Sequence, residues 1–137
     1  MGINAFSLAR DGSTALAPHF HVREFRCKDG SDPIFVDSDL VDLLQKIRDH
    51  FGKPVTITSA YRTSAHNAKS GGAKFSQHLY GRAADIRVQG VSVEVVAAYA
   101  ESLMPDWGGI GRYPVKAGRA TGWVHVDTRA EKARWRG

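Results

Sequence analysis

Two histidines and an aspartate carry the chemistry of this chain. His78 lies in Ser76-Gln77-His78-Leu79-Tyr80-Gly81-Arg82-Ala83-Ala84-Asp85, and His125 in Val124-His125-Val126-Asp127. Gly81 lets the backbone turn sharply between His78 and Asp85. A loop histidine and an aspartate on the polar side of a strand can then converge on one point. His125 alternates with Val124 and Val126, which puts it on the polar face of a second strand. Two imidazoles and one carboxylate make a three-ligand site for one Zn²⁺, with a fourth position open as catalytic zinc requires. Zinc would bring a water at that position to a pKa of about 7. His78 with Asp85 is a weak signal alone, because such pairs are common by chance. The other histidines have ordinary readings. His50 sits near a helix C-terminus, where a cation is favoured. His19 and His21 lie close to the N-terminal segment, and His66 is in a polar loop.

The elements that must position these residues are legible in outline. Leu40, Leu43, Leu44, Ile47 and Phe51 form one apolar stripe and predict a helix over 39–51, capped by Asp37 or Ser38. The β-branched run Val55 to Thr58 predicts a strand within 53–61. Residues 62–73 read as a loop or short helical turn ending in Gly71-Gly72, and 75–81 as further loop. A strand is expected over 83–88, with Asp85 and Arg87 on one face. A helix follows over 93–104, capped by Ser92, with Val95, Val96, Tyr99, Ala100 and Leu103 as its stripe. Strands over 107–113 and 122–129 close the order, joined by a turn at 116–121. The fold class is α+β: a small, mostly antiparallel sheet with helices on one face and the zinc site on the open polar face. Residues 1–18 read as a flexible N-terminal arm, 19–129 as the folded domain, and 130–137 as a basic C-terminal tail.

Composition narrows the function classes. With 137 residues and 42% hydrophobic content, the chain suits one globular domain. Cys27 is the single cysteine, so an intrachain disulfide and a cysteine-rich zinc finger are excluded. It has no clear activating neighbour and reads as structural. No apolar run approaches the ~18 residues that would span a bilayer, so membrane insertion is not expected. The first 18 residues lack the apolar core of a signal peptide and are broken by Arg10, Asp11 and Gly12. The net charge of +5 suits an anionic partner or plain solubility equally. Arg129, Lys132, Arg134 and Arg136 cluster near the end with Trp135 as the one stacking residue. A nucleic-acid site would want a basic stripe with several aromatics, so nucleic acid is not an expected partner.

The motif Ser-x-His-x-x-Gly-x-Ala-x-Asp, complete at Ser76, His78, Gly81, Ala83 and Asp85, resembles the signature of the M15 zinc peptidases. These include D-alanyl-D-alanine carboxypeptidases and dipeptidases, and phage endolysins that cut L-alanyl-D-glutamate bonds. The hedgehog zinc fold is related to them. The resemblance covers roughly 19–129. Ser59-Ala60-Tyr61-Arg62 is similar to the family's Ser-x-Tyr-Arg segment, and Asn67 with Gly71-Gly72 to the residues preceding the zinc motif. Gly108-Gly109-Ile110-Gly111-x-Tyr113 and Val124 to Arg129 look like the closing strands of a small phage-associated branch.

This resemblance implies that His78, Asp85 and His125 bind one zinc ion in an M15-type peptidase domain. It implies hydrolysis of amide bonds in peptidoglycan stem peptides or cross-bridges, by a monomer. Arg62 would face the substrate, binding a carboxylate or stabilising the oxyanion; its plain reading is a surface ion pair. Ser76 and Gln77 would bond substrate amides or only shape the loop. Tyr61 and Trp123 wall the groove or simply pack. Many family members carry an acid three residues before the last zinc histidine as general base, where this chain has Gly122. Asp127, on the same strand face as His125, is the expected substitute. It could instead orient an imidazole, or pair with Arg129 or Arg87. The missing leader suggests cytoplasmic synthesis and delivery to the wall by a holin or a virion, hence a phage or prophage source. The alternative function is a catalytically weak peptidoglycan-binding or structural virion module on the same fold.

Overall fold

The computed structural model describes residues 2–137. The chain runs through β1 (Ile3–Ser7), a short helix α1 (Leu8–Asp11), β2 (Ala15–Ala17), β3 (Phe20–His21) and a 3-10 turn (Val22–Phe25). Next come β4 (Pro33–Asp37), α2 (Ser38–Phe51), β5 (Val55–Ser59), α3 (Ser64–Lys69) and a second 3-10 turn (Gln77–Tyr80). It ends with β6 (Ala83–Val88), α4 (Val93–Leu103), β7 (Gly109–Tyr113), β8 (Trp123–Asp127) and β9 (Ala133–Arg136). The fold is α+β, as the sequence predicts.

The central sheet has the order β5-β6-β8-β7-β9. Its pairs are antiparallel except β7 with β9, which is parallel. Alternation sorts each strand. Ile86, Ile110, Val124 and Val126 enter the core, where α2 and α4 pack. Asp85 and His125 take the opposite face.

Both long helices start where a cap meets an apolar stripe. Asp37 accepts a hydrogen bond from the Asp39 amide and opens α2, an interaction worth about 1 kcal/mol. Leu40, Leu43, Leu44 and Ile47 are its buried face. Ser92 caps α4 by accepting from the Val95 amide. The expected stripe of α4 holds at Val96, Tyr99, Ala100 and Leu103, which are buried or packed against the core, and fails at Val95 alone. Val96, Ala97 and Ala100 are buried, whereas Val95 is 52% exposed. The segment is apolar on nearly every side, so two helical registers satisfy the same periodicity. Glu94 and Glu101 settle the register, because both face arginines of the sheet.

The chain termini depart from expectation. The segment read as a flexible arm is hydrogen-bonded structure: β1 pairs antiparallel with β4, from Ile3 opposite Asp37 to Ser7 opposite Pro33. Asp32 accepts from the Ala9 amide and the Ser7 hydroxyl and holds the following turn. The residues read as a basic tail form β9 on the sheet edge. Arg134 donates to both oxygens of Glu101 at 2.7 and 2.9 Å. Arg136 does the same to Glu94 at 2.6 and 3.0 Å. The basic cluster is therefore largely neutralised by α4 and presents no free cationic stripe.

Candidate metal centre

Antiparallel pairing of β6 and β8 sets Asp85 directly opposite His125. His78 reaches the same point from the second 3-10 turn. Ser76 opens that turn by accepting from the His78 amide, and Gly81 closes it in the left-handed region at φ 72°. A Cβ at Gly81 would lie 2.3 Å from the Phe35 carbonyl oxygen, so only glycine fits there. His78 Nε2 is 3.4 Å from Asp85 Oδ1, and His125 Nδ1 is 3.1 Å from the same oxygen. One donor atom from each residue lies within 4.8 Å of the others, and all three residues are buried.

The rear nitrogen of each imidazole fixes which atom faces the centre. His78 Nδ1 lies 2.7 Å from the Ala60 carbonyl, which only accepts; Nδ1 must donate, leaving a lone pair on Nε2. His125 Nε2 lies 2.7 Å from Asp127 Oδ2 and donates to it, leaving a lone pair on Nδ1. With neutral imidazoles, three acceptor atoms thus face one another with no proton between them. Such a cluster calls for a cation. Without one it calls for a proton: burial disfavours charge on His125, but hydrogen bonds to Asp127 and Asp85 outweigh this and raise its pKa. Burial likewise opposes charge on Asp85, and hydrogen bonds from His125 and His78 hold the carboxyl well below its usual range. Two imidazole nitrogens with anchored rear N–H groups and one carboxylate fit zinc with an open position.

Asp127 is completely buried. Its carboxylate receives His125 Nε2, the Gly109 amide at 3.0 Å, and Arg129 Nε and Nη2 at 2.8 and 2.7 Å. Burial would raise its pKa, but the bonds from His125 and Arg129 hold the group ionised. Gly109 lies beside Asp127 across β7 and β8, and a Cβ there would fall 2.1 Å from the carboxylate. Asp127 therefore lies behind His125, away from the cleft. Its burial and its bonds to His125 and Arg129 fit the orienting alternative better than the expected general base. Gly122 supplies no base either, and a side chain there would be misdirected. Its Cβ would meet the Tyr113 carbonyl oxygen at 2.6 Å and Val93 at 2.8 Å.

The centre opens into a cleft of about 490 Å³. Arg62 lines one side. Its Nε donates to Ser59 Oγ at 3.0 Å, Nη1 to Asn67 Oδ1 at 3.3 Å, and Nη2 lies 3.5 Å from Asp85 Oδ2. Gln77 lines the same side with its Oε1 buried and unbonded. Ser76 is committed to the turn. Among the described residues lining this cleft, Asp85 is the only carboxylate.

Tyr113, Trp123 and Trp135 form the other side with Arg129. Tyr113 and Trp123 stack at 4.7 Å, and Trp135 Nε1 donates to the Tyr113 hydroxyl at 2.7 Å. The Trp135 ring lies 5.0 Å from His125. Gly111, opposite His125, leaves room for the indole; a Cβ there would come within 2.5 Å of it. Sequence reasoning passed over Trp135 and Arg129 as site residues. The signals were the alternation of Ala133 and Trp135 with Arg134 and Arg136, and glycines at 109 and 111 facing a strand with large polar residues.

A family model described as Peptidase M15 matches residues 18–127. The chain is 31% identical over 140 residues to the probable peptidoglycan L,D-endopeptidase MepK of Haemophilus influenzae, covering 96% of this chain and 70% of that protein. It is 34% identical over 100 residues to the peptidoglycan L,D-endopeptidase MepK of Escherichia coli K12, covering 68% of this chain. The match spans about half of that relative's length, 51%.

Proposed function

From the membership of this chain in the peptidase M15 family, we propose that it is a zinc-dependent endopeptidase acting on peptidoglycan stem peptides or cross-bridges. The observation that carries this reading is the convergence of His78 Nε2, Asp85 Oδ1 and His125 Nδ1 on the cleft, with the other nitrogen of each ring anchored by the Ala60 carbonyl or Asp127. The names of the relatives in Haemophilus influenzae and Escherichia coli support the substrate and the endopeptidase mode. Zinc held by these three residues would act as a Lewis acid toward a substrate carbonyl and help ionise water at neutral pH.

The protein's own residues supply the rest. Asp127 and the Ala60 carbonyl lock the two imidazoles in the tautomers that present lone pairs. Arg62 lines the cleft with its guanidinium 3.5 Å from Asp85, and it would meet a substrate carboxylate or the oxyanion of the cleaved bond. Gln77 Oε1 is an unused acceptor for a substrate amide N–H. The aromatic side bounds the peptide and sheds water. The enzyme is read as a monomer.

A second reading has one observation in its favour: among the described residues, no carboxylate besides Asp85 lines the cleft. A weakly catalytic wall-binding module would need none. Digesting defined muropeptides with the zinc-loaded protein, and identifying the products by mass spectrometry, tests both. Internal cleavage products support the endopeptidase. Loss of a terminal residue alone would make it a carboxypeptidase. Retained wall binding with no cleavage would favour the module.

A further inference from the structure

Asn67 is the buried residue of the short helix α3, 4% exposed. Both ends of its amide are in use. Nδ2 donates to the Ala73 carbonyl at 2.9 Å, which fixes the amide so that Oδ1 faces Arg62 Nη1 at 3.3 Å. Its backbone carbonyl accepts from the Gly72 amide at 2.9 Å. Gly72 is bare for a steric reason. A Cβ there would lie 2.1 Å from Asn67 Oδ1 and 3.1 Å from Arg62 Nη1. Ser70 to Ala73 line the cleft beside Arg62. One side chain thus ties the guanidinium to the loop that walls the site.

We propose that Asn67 is the positioning residue of Arg62, forming with Gly72 a clasp that holds the guanidinium at the cleft without cancelling its charge. The proposal rests on the reading of Arg62 as substrate-facing. A guanidinium that must meet an anion has to be held by neutral acceptors, because a carboxylate partner would satisfy it beforehand. Ser59 Oγ and Asn67 Oδ1 are such acceptors, and Asp85, at 3.5 Å the longest contact of the three, is the carboxylate that would hold the metal. An aspartate at 67 would lose the donor to Ala73 and set a negative charge against that carbonyl. It would also neutralise Arg62. The amide meets both demands.

The test is a double-mutant cycle on muropeptide hydrolysis, with bound zinc and thermal unfolding measured for each variant. Asn67→Ala should lower kcat/KM about tenfold, the worth of one hydrogen bond to a charged group, with one zinc per chain retained. In an Arg62→Ala background the same substitution should cost nothing further. Gly72→Ala drives a methyl group into the amide oxygen; it should give the same loss and the same non-additivity, and it replaces Asn67→Ala if that variant does not fold. Losses that multiply fully with Arg62→Ala would overturn the clasp, because Asn67 would then act through the fold alone. So would undiminished kcat/KM in both variants when Arg62→Ala is impaired. Full activity in Arg62→Ala itself would remove the role of Arg62, and the clasp with it, which the single-variant measurement separates from failure of the clasp alone.

Discussion

Arg62 and Arg129 line the same cleft and each meets an aspartate, yet they are bonded in opposite ways. Arg129 gives two short bonds, 2.8 and 2.7 Å, to the fully buried Asp127, and its guanidinium lies over Trp135 at 5.4 Å. That arrangement is a bidentate ion pair. Arg62 spreads its nitrogens over a hydroxyl, an amide and a carboxylate at 3.0, 3.3 and 3.5 Å. The strand side of the cleft spends its charge inward, on holding His125. The loop side keeps charge and hydrogen-bonding capacity for something that arrives from solution. An arginine on each wall therefore does not mean equal function: what each guanidinium is already bonded to decides it.

Removing what both walls serve should have the largest effect. His125→Ala should abolish zinc retention and reduce hydrolysis to background, measured by metal analysis and muropeptide digestion of the same sample. The two walls should then separate. Arg62→Ala should lower kcat/KM about a hundredfold, in the range of a lost oxyanion donor, while zinc stays bound at one per chain. Asp127→Asn should do the reverse, weakening zinc affinity about 10- to 100-fold with hydrolysis recovered at saturating zinc. Unchanged zinc affinity with lost activity would instead make Asp127 the base and erase the contrast.

The smallest effect lies at the sheet edge that carries the strand wall. Arg134 holds the carboxyl of Glu101 below its usual pKa, chiefly by hydrogen bonding. A carboxyl depressed in the folded state adds stability at neutral pH, and that stability is lost as pH falls through the folded value. Glu101→Gln, which leaves the bonds of Arg134 to the Gly108 and Ala133 carbonyls in place, should cost at most about 1 kcal/mol at pH 7, as for a partly exposed pair. The variant should also lose part of the acid sensitivity of thermal unfolding. An unaltered pH profile would show that β9 owes nothing to this pair.

The centre was legible because its signals are local. The motif from Ser76 to Asp85 and the alternation around His125 survive in a short window, and the strand register needed to join them is the simplest antiparallel one. β1, β4 and β9 were not legible, because their stability lies in pairing with distant segments rather than in their own periodicity. Much of β1 is exposed, so no buried face marks it. The role of Asp127 was hidden for a related reason. Its place on the same strand as His125 permits either a base or an orienting partner, and only Gly109 and Arg129 closing around it favour the second. On α4 only Val95 was misplaced, with Ala97 buried in its stead, because the helix is apolar on nearly every side.

The central claim is that activity depends on one metal ion held by His78, Asp85 and His125. Stripping the protein with a chelator and adding zinc back stepwise, with bound metal and muropeptide hydrolysis read from the same samples, tests it most directly. Hydrolysis should be absent from the stripped protein, rise in proportion to bound zinc and level off at one ion per chain. Cleavage by the metal-free protein, or activity that does not follow occupancy, would contradict it.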